Sequence, residues 1–239
     1  MSGELHIERL GHTLVATADA GEENKYSPAM ITELADAIAD AAADPEMRFV
    51  RLRARGPAFC LGRGAPPASG NGRPSPDAIR GLAGRIVRVN ELLQTTPLVV
   101  IAEVQGDAAG FGAGLVGNAD VAVAADSARF SFPEILGGFA PSIVMSWLTE
   151  NVPRKRAFEM VATGAWVDAA TALRDGLLTE VVPADRLEAR VDERIAELAA
   201  MSAPALRDVK TFLGRRRAMD PASAAHASVD SLVIGALRS

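Results

Sequence analysis

Two glycine-rich segments, each placed after a predicted strand, have the composition of ligand-binding turns. GPAFCLGRGAPP, residues 56–67, follows the strand predicted at 49–54, and QGDAAGFGAGL, residues 105–115, follows the strand predicted at 98–104. Glycine allows the backbone to approach a ligand closely and to aim its N–H groups at it. Lying side by side, two such turns could supply two N–H donors to a single ligand oxygen.

One carboxylate, like the two glycine-rich segments, follows a predicted strand. The segment FSFPEILGG, residues 130–138, places Glu134 directly after a strand predicted at 129–132 and beside a proline. A carboxylate next to backbone donors can act as a general acid or base. Taken alone, however, such a residue is more simply interpreted as a solvated loop side chain.

Composition limits the possible classes of protein. The chain has 239 residues with 49% hydrophobic and 23% charged residues, which indicates one large or two small globular domains. Its net charge of -5 disfavours nucleic acid as a partner. The single cysteine, Cys60, excludes an internal disulfide and a cysteine-based zinc site. His6, His12 and His226 match no metal or triad spacing, so we expect no metal.

Hydropathy argues against a membrane protein. No apolar run approaches the about 18 residues of a membrane span, and the first residues, MSGELHIERLGHT, lack the basic and then apolar pattern of a signal peptide. We therefore expect no membrane partner and a cytoplasmic location.

The hydrophobic pattern predicts an α/β core followed by a helical tail. Strands are expected at 4–10, 12–17, 49–54, 98–104, 121–125 and 129–132. Helices are expected from Ser27 to residue 44, around 79–93, and at 142–150, 154–162, 168–174, 185–200, 204–217 and 222–237. The division is placed at residue 185.

The second glycine segment is only superficially like a dinucleotide-binding fingerprint. Counting from Gly110 and Gly112, the third glycine should fall at position 115, which is Leu115. The preceding strand also lies well inside the chain. A nicotinamide-dependent dehydrogenase is therefore a distant alternative.

The ordered set AFCLGRG, PLVVIAEVQGDAAGFGAGL, ARFSFPEILGG, RAFEMVATG and ALRDGLLTEVVP resembles the crotonase superfamily, also called the enoyl-CoA hydratase/isomerase family. The resemblance implies an α/β fold, a crotonase-like ββα spiral over residues 1–185, with a helical C-terminal region at 186–239 that serves in trimerisation or as a lid. It also implies acyl-CoA substrates, with coenzyme A as part of the substrate and no separate cofactor, and a homotrimer or dimer of trimers.

Carried over by position, the family's oxyanion hole falls on the backbone N–H groups of Arg63 and Phe111. Two such donors stabilise the negative charge that develops on a thioester oxygen, and losing one typically costs about 3–4 kcal/mol. Glu134 matches the family's acid–base glutamate, and an apolar pocket would raise its pKa. The expected pocket residues, besides the Phe111 ring that narrows the site, are Leu61, Gly62, Gly110, Gly114, Phe139, Pro141 and Ser142.

Two departures from the family pattern bear on the reaction. Hydratases of the family carry a second glutamate where this chain has Gly114, and a common aspartate is replaced by Gly64. A single carboxylate at Glu134 resembles the isomerases, in which one base moves a proton between two carbons. GGFAPS, which follows Glu134, also resembles members that act on cyclic dienoyl-CoA esters.

Other interpretations remain open at this stage. A hydratase could take its second group from Asp77, Glu103 or Asp107, although each is more simply a surface or structural residue. An acyl-CoA-binding pseudoenzyme without turnover is a further alternative. The loop 64–76 is expected to shape the acyl pocket.

A basic patch is expected near the C-terminus. It comprises Lys210 and the run Arg215, Arg216 and Arg217. This patch could meet CoA phosphates or be a solvated helix end.

Overall fold

The computed structural model describes residues 3–66, 68 and 72–237, which form two sheets and their covering helices. The strands are β1 (Glu4–Leu10), β2 (Thr13–Asp19), β3 (Phe49–Ala54), β4 (Val99–Val104), β5 (Ala108–Ala109), β6 (Val121–Ala125), β7 (Arg129–Ser131), β8 (Val167–Asp168) and β9 (Glu180–Val182). The helices are α1 (Pro28–Ala43), α2 (Pro76–Thr95), α3 (Phe111–Gly117), α4 (Ser142–Met145), α5 (Leu148–Asn151), α6 (Arg154–Thr163), α7 (Ala169–Arg174), α8 (Leu187–Ala199), α9 (Ala203–Arg216) and α10 (Pro221–Ala236). Short 3-10 turns occupy Pro133–Gly137 and Ala184–Arg186.

The larger sheet has the strand order β1-β2-β3-β4-β6-β9. The pair β1 and β2 is antiparallel; the other pairs run parallel, with β3 beside β4 and β4 beside β6. The smaller sheet has the order β5-β7-β8. Because β3 and β4 are parallel neighbours, the glycine segments that follow them emerge at the same edge of the sheet.

Both faces of the larger sheet are buried. On one face, α1 and α2 contribute apolar residues such as Ile31, Leu34 and Leu93 to the main core. On the other face, Leu187 and Val191 of α8 pack against the strands. Two covered faces account for the continuous apolar runs of β4 and β6.

The C-terminal part is helical, as expected from residue 186 onward. Helix α9 is fixed to the core by Lys210, whose Nζ donates to the two carboxylate oxygens of Asp120 at 2.6 and 2.7 Å and to Leu93 O at 2.7 Å. Lys210 is 5% exposed. Lys210 therefore does not belong to the predicted basic patch with Arg215–Arg217. This part of the prediction is wrong because Lys210 is buried in an ion pair with Asp120, which is distant in sequence.

Several elements differ from the sequence-based expectation. The second glycine segment continues into helix α3, which was not predicted, and the expected helix at 142–150 is divided into α4 and α5. Within the described residues, no helix is long and apolar enough to cross a membrane.

Candidate active site

Three chain segments run side by side where the glycine turns meet. Cys60 forms a parallel bridge with Ala108, and Ala109 is paired with Ser131 in the smaller sheet. Gly110 N also donates to Ser131 O at 3.0 Å. The first turn, the second turn and the strand that leads to Glu134 are thus adjacent, as their positions after strands predict.

The first backbone donor belongs to Arg63. Tyr26 N donates to Gly62 O at 3.1 Å, and Gly64 N donates to Tyr26 O at 2.9 Å. This parallel bridge uses groups on either side of Arg63, so the N–H of Arg63 points away from Tyr26. It has no acceptor among the residues that the structure describes.

The second donor belongs to Phe111, the first residue of α3. The first N–H groups of a helix have no intrahelical acceptor, and none of the described residues accepts from Phe111 N. Gly110 precedes it with φ 52° and ψ -112°, a conformation that glycine adopts readily and other residues do not. The chain therefore reverses sharply at Gly110 and leaves the N–H of Phe111 available.

Gly112 permits the close contact between the two turns. A Cβ at this position would lie 2.1 Å from Cys60 O and 2.7 Å from Cys60 Cβ. Only glycine lets the start of α3 pack this closely against the first turn, and the spacing of the two donors depends on that contact.

Glu134 lies in the 3-10 turn beside the same helix start. Its Oε1 would be 3.3 Å from a Cβ on Gly110, which places the carboxylate next to the N-terminus of α3. The residue is half-buried, and its Oε2 is buried without a hydrogen-bond partner in the described part of the chain. Burial raises the pKa of Glu134, while its own backbone N–H and the charge of Arg63 act to lower it. A raised pKa suits proton transfer near neutral pH.

The other predicted pocket residues are divided between buried and exposed positions. Leu61 is half-buried, and Gly62, Gly110, Gly114 and Pro141 are buried, whereas Phe139 and Ser142 are exposed. Residues 67 and 69–71 of the predicted pocket loop lie outside the described residues. For this loop the prediction remains a prediction.

The Phe111 ring lies against Tyr26. The two rings meet edge to face with centroids 5.3 Å apart, and Phe111 is 6% exposed. This contact packs the Phe111 ring against the core, and the expected narrowing of the site by this ring stays a prediction.

An indole lies beside Gly114, the position at which the family resemblance implies the second glutamate of hydratases. A Cβ on Gly114 would lie 3.9 Å from Cζ2 of Trp147, which is 2% exposed. The indole Nε1 is buried without a hydrogen-bond partner among the described residues. Sequence reasoning missed Trp147, because a tryptophan in a helical stretch indicates only a core position.

The alternative carboxylates are all paired with arginine. Asp77 forms an exposed ion pair with Arg80 on α2. The other two pairs are Glu103 with the buried Arg51, and Asp107 with Arg129. These three carboxylates are therefore engaged in structural ion pairs. The described residues contain no group of three or more His, Cys, Asp or Glu side chains arranged to hold a metal ion.

Comparison with known proteins identifies the family. Residues 14–233 match the family described as "Enoyl-CoA hydratase/isomerase". The chain belongs to this family. It is 35% identical over 176 residues to the mitochondrial enoyl-CoA hydratase domain-containing protein 3 of Xenopus laevis, a match that covers 73% of this chain and 58% of that protein. The chain thus spans less than two thirds of that relative's length.

Solved structures of enoyl-CoA hydratase/isomerase proteins share the fold. The enoyl-CoA hydratase of Mycobacterium smegmatis matches with a TM-score of 0.91 at 31% identity, over 97% of this chain and 90% of that one. Human enoyl coenzyme A hydratase domain-containing protein 3 matches with a TM-score of 0.89 at 26% identity, over 96% and 90% of the two chains. A candidate enoyl-CoA hydratase of Thermobifida fusca, solved in complex with CoA, has a TM-score of 0.87 at 27% identity over 98% and 93%. The predicted crotonase-like α/β fold with a helical C-terminal region is confirmed.

Proposed function

We propose that this member of the family is an acyl-CoA enzyme that moves a double bond by proton transfer, in the manner of an enoyl-CoA isomerase. The observation that supports this most directly is the position of Glu134, a half-buried carboxylate beside the start of α3, where the N–H of Phe111 has no acceptor among the described residues. Arg63 supplies the second donor from the adjacent turn. A related protein of Thermobifida fusca was solved with CoA, which supports a CoA ester as the ligand.

The proposed reaction uses one base twice. The carboxylate of Glu134 removes a proton from C2 of a 3-enoyl thioester, and the electron pair moves onto the thioester oxygen. The N–H groups of Arg63 and Phe111 stabilise the resulting dienolate. The carboxylic acid of Glu134 then returns the proton to C4, so that the double bond lies between C2 and C3. No separate cofactor takes part.

Two observations favour a second candidate, an enoyl-CoA hydratase with an unconventional second group. Relatives from Mycobacterium bovis and Thermus thermophilus are named as enoyl-CoA hydratases. The Trp147 indole lies beside Gly114, and its N–H has no partner among the described residues. An indole N–H can hold water but cannot remove its proton, so this second candidate would still need Glu134 as its base. A pseudoenzyme would bind acyl-CoA without turnover.

The test is the Glu134→Gln variant, assayed with a 3-enoyl-CoA and a 2-enoyl-CoA. Conjugation of the 3-enoyl ester by the unmodified protein supports the isomerase, and addition of water to the 2-enoyl ester supports the hydratase. We expect Glu134→Gln to lower kcat by about 10²–10⁴-fold with nearly unchanged acyl-CoA binding. The matched control is Asp77→Asn, which makes the same chemical change on an exposed side chain of α2.

Three results would contradict the proposal. Isomerase activity retained in Glu134→Gln would exclude this base, and equal loss in Asp77→Asn would show that the effect is not local. Tight acyl-CoA binding by the unmodified protein without turnover of either ester would favour the pseudoenzyme.

We also propose a homotrimer or dimer of trimers. The exposed apolar side chains of the α10 region support this assembly. They are Val229, Leu232, Val233, Ile234 and Leu237, which are 48–82% exposed.

A further inference from the structure

The segment before α1 carries an unusual asparagine. Asn24 is fully buried, at 0% exposed, and has φ 45°, which makes it the one non-glycine residue with positive φ among the described residues. Asparagine tolerates this left-handed conformation better than most residues do, but it is still uncommon. A buried polar side chain held in this conformation must be compensated by its hydrogen bonds.

The side chain of Asn24 uses both ends of its amide. Its Oδ1 accepts from Ala20 N at 2.7 Å. Its Nδ2 donates to Arg55 O at 2.6 Å and to Ala58 O at 2.7 Å, so both amide protons are directed at the start of the first glycine turn. Both carbonyls belong to the segment that leads from β3 to Arg63.

The backbone on either side of Asn24 also bonds to the residues that precede Arg63. Leu61 N donates to Glu23 O at 2.8 Å, and Tyr26 N donates to Gly62 O at 3.1 Å. Residues 20–26, which we call the clamp segment, therefore hold the first turn at both of its ends. Asn24 lies in this segment, and its side chain bonds the segment to the start of the first turn.

We propose that Asn24 is a positioning residue, which fixes the first glycine turn so that the N–H of Arg63 is aimed at the thioester oxygen. Asn24 itself touches no reacting atom. This inference rests on the proposed function of the Arg63 N–H. Its physical basis is that a backbone donor cannot adjust by rotating a side chain, so its aim depends on the neighbours that hold the turn.

The size of the effect follows from the geometry required of an oxyanion donor. A displacement of about 1 Å can cost about 10²-fold in rate. Loss of the two Asn24 amide bonds would remove this donor from Arg55 O and leave Ala58 O with the bond from Gln105 Nε2 at 3.0 Å, while Arg63, Phe111 and Glu134 remain present. We therefore expect a fall in kcat with a much smaller change in KM, since acyl-CoA contacts outside the turn are unaffected.

The test uses Asn24→Gly, because glycine accepts φ 45° and so removes the side chain and its hydrogen bonds without adding backbone strain. The control is Asn151→Ala, which deletes a comparable amide-to-carbonyl bond, from Asn151 Nδ2 to Gly117 O at 2.6 Å, away from the first turn. The readouts are kcat, KM and the infrared carbonyl stretch of a bound acyl-CoA labelled with ¹³C at the thioester. Hydrogen bonds to the carbonyl oxygen lower this frequency.

We expect the unmodified protein and Asn151→Ala to lower the carbonyl frequency equally. Asn24→Gly should lose part of that shift and should turn over the ester more slowly, by about 10-fold or more, as expected for a partly misdirected donor. If Asn24→Gly does not fold, Asn24→Asp replaces it, because this variant keeps the acceptor for Ala20 N and loses the donor to the two carbonyls. If the folded variant lowers the carbonyl frequency as much as the unmodified protein does and has the same kcat, the role of Asn24 is overturned.

Failure of the proposed function would be seen separately. If the unmodified protein lowers the carbonyl frequency but turns over neither enoyl ester, the proposed reaction fails while the frequency of Asn24→Gly still decides the positioning role. If the unmodified protein binds the ester without any frequency shift, the oxyanion hole and the role of Asn24 are both excluded.

Discussion

Replacing Gly112 with alanine is expected to separate the two backbone donors without removing either of them. The added Cβ would lie 2.1 Å from Cys60 O, a backbone atom of the first turn. Real Cβ atoms essentially never approach other heavy atoms within 3.0 Å, so the start of α3 and the first turn must move apart by at least about 0.9 Å (3.0 − 2.1). The two atoms nearest to the added Cβ, Cys60 O and Cys60 Cβ, are fixed to the backbone and cannot move aside as the end of a flexible side chain would.

The expected consequences follow from that displacement. Overpacking of this kind typically costs about 1–3 kcal/mol of stability. A shift near 1 Å between the N–H groups of Arg63 and Phe111 should lower kcat by about 10²-fold. KM should change far less, because the two donors are more important to the dienolate than to the bound ester.

The assay compares Gly112→Ala with Gly84→Ala. Gly84 lies on the exposed side of α2, where an added Cβ meets nothing within 4 Å, so alanine there should add up to about 1 kcal/mol of helix stability. The stability of both variants is measured by urea unfolding. In separate samples, kcat and KM of the folded variants are measured with a 3-enoyl-CoA. A folded Gly112→Ala variant that keeps the turnover rate of the unmodified protein would refute the claim that the contact between the turns sets the donor spacing.

Three further outcomes are expected. Arg63→Ala keeps the backbone donor but removes a cation that lowers the pKa of Glu134; since the base must be ionised, the acid limb of kcat/KM should move to higher pH, and a shift to lower pH would contradict this. Lys210→Met removes the buried member of the pair with Asp120, whose side chain is 28% exposed and still accepts from Val100 N, and should cost about 1–3 kcal/mol in urea unfolding, whereas a loss near zero would show that the pair does not fix α9. Leu232→Glu introduces a charge at a 73% exposed apolar position of α10 and should dissociate the proposed trimer in light scattering, while a monomeric unmodified protein would exclude the trimer.

The longer strands and the position of the candidate carboxylate could be predicted from local sequence. The bounds 49–54 and 121–125 agree with β3 and β6, because β-branched and small apolar residues between turn residues form a strong local pattern. The glycine segments also indicated where the two turns come together, since Gly112 leaves no room for a Cβ beside Cys60. The local pattern places Glu134 after a strand but favours a solvated loop side chain; the acid–base role and the apolar surroundings are expected only from the family resemblance.

Other features depend on contacts that local sequence does not reveal. Helix α3 consists largely of glycine and small residues, and glycine has poor helix propensity; the helix forms because it is buried against the first turn and Trp147. Lys210 was assigned to a surface patch, because nothing near it in sequence indicates that it pairs with Asp120, 90 residues away. The role of Asn24 could not be predicted for a similar reason: both of its amide acceptors lie more than thirty residues further along the chain.

In the proposed function, the division between backbone and side-chain roles explains how an enzyme could differ from its relatives in the second carboxylate and still take the same class of ester. The two oxyanion donors are backbone N–H groups, so Arg63 and Phe111 are compatible with that role whatever their side chains are. Their positions depend instead on Gly112 at the contact between the turns. The proton chemistry, in contrast, rests on a few side chains, and here only Glu134 remains where the hydratases have two glutamates. Substitutions such as Gly114 should therefore change the reaction of the enolate without preventing its formation.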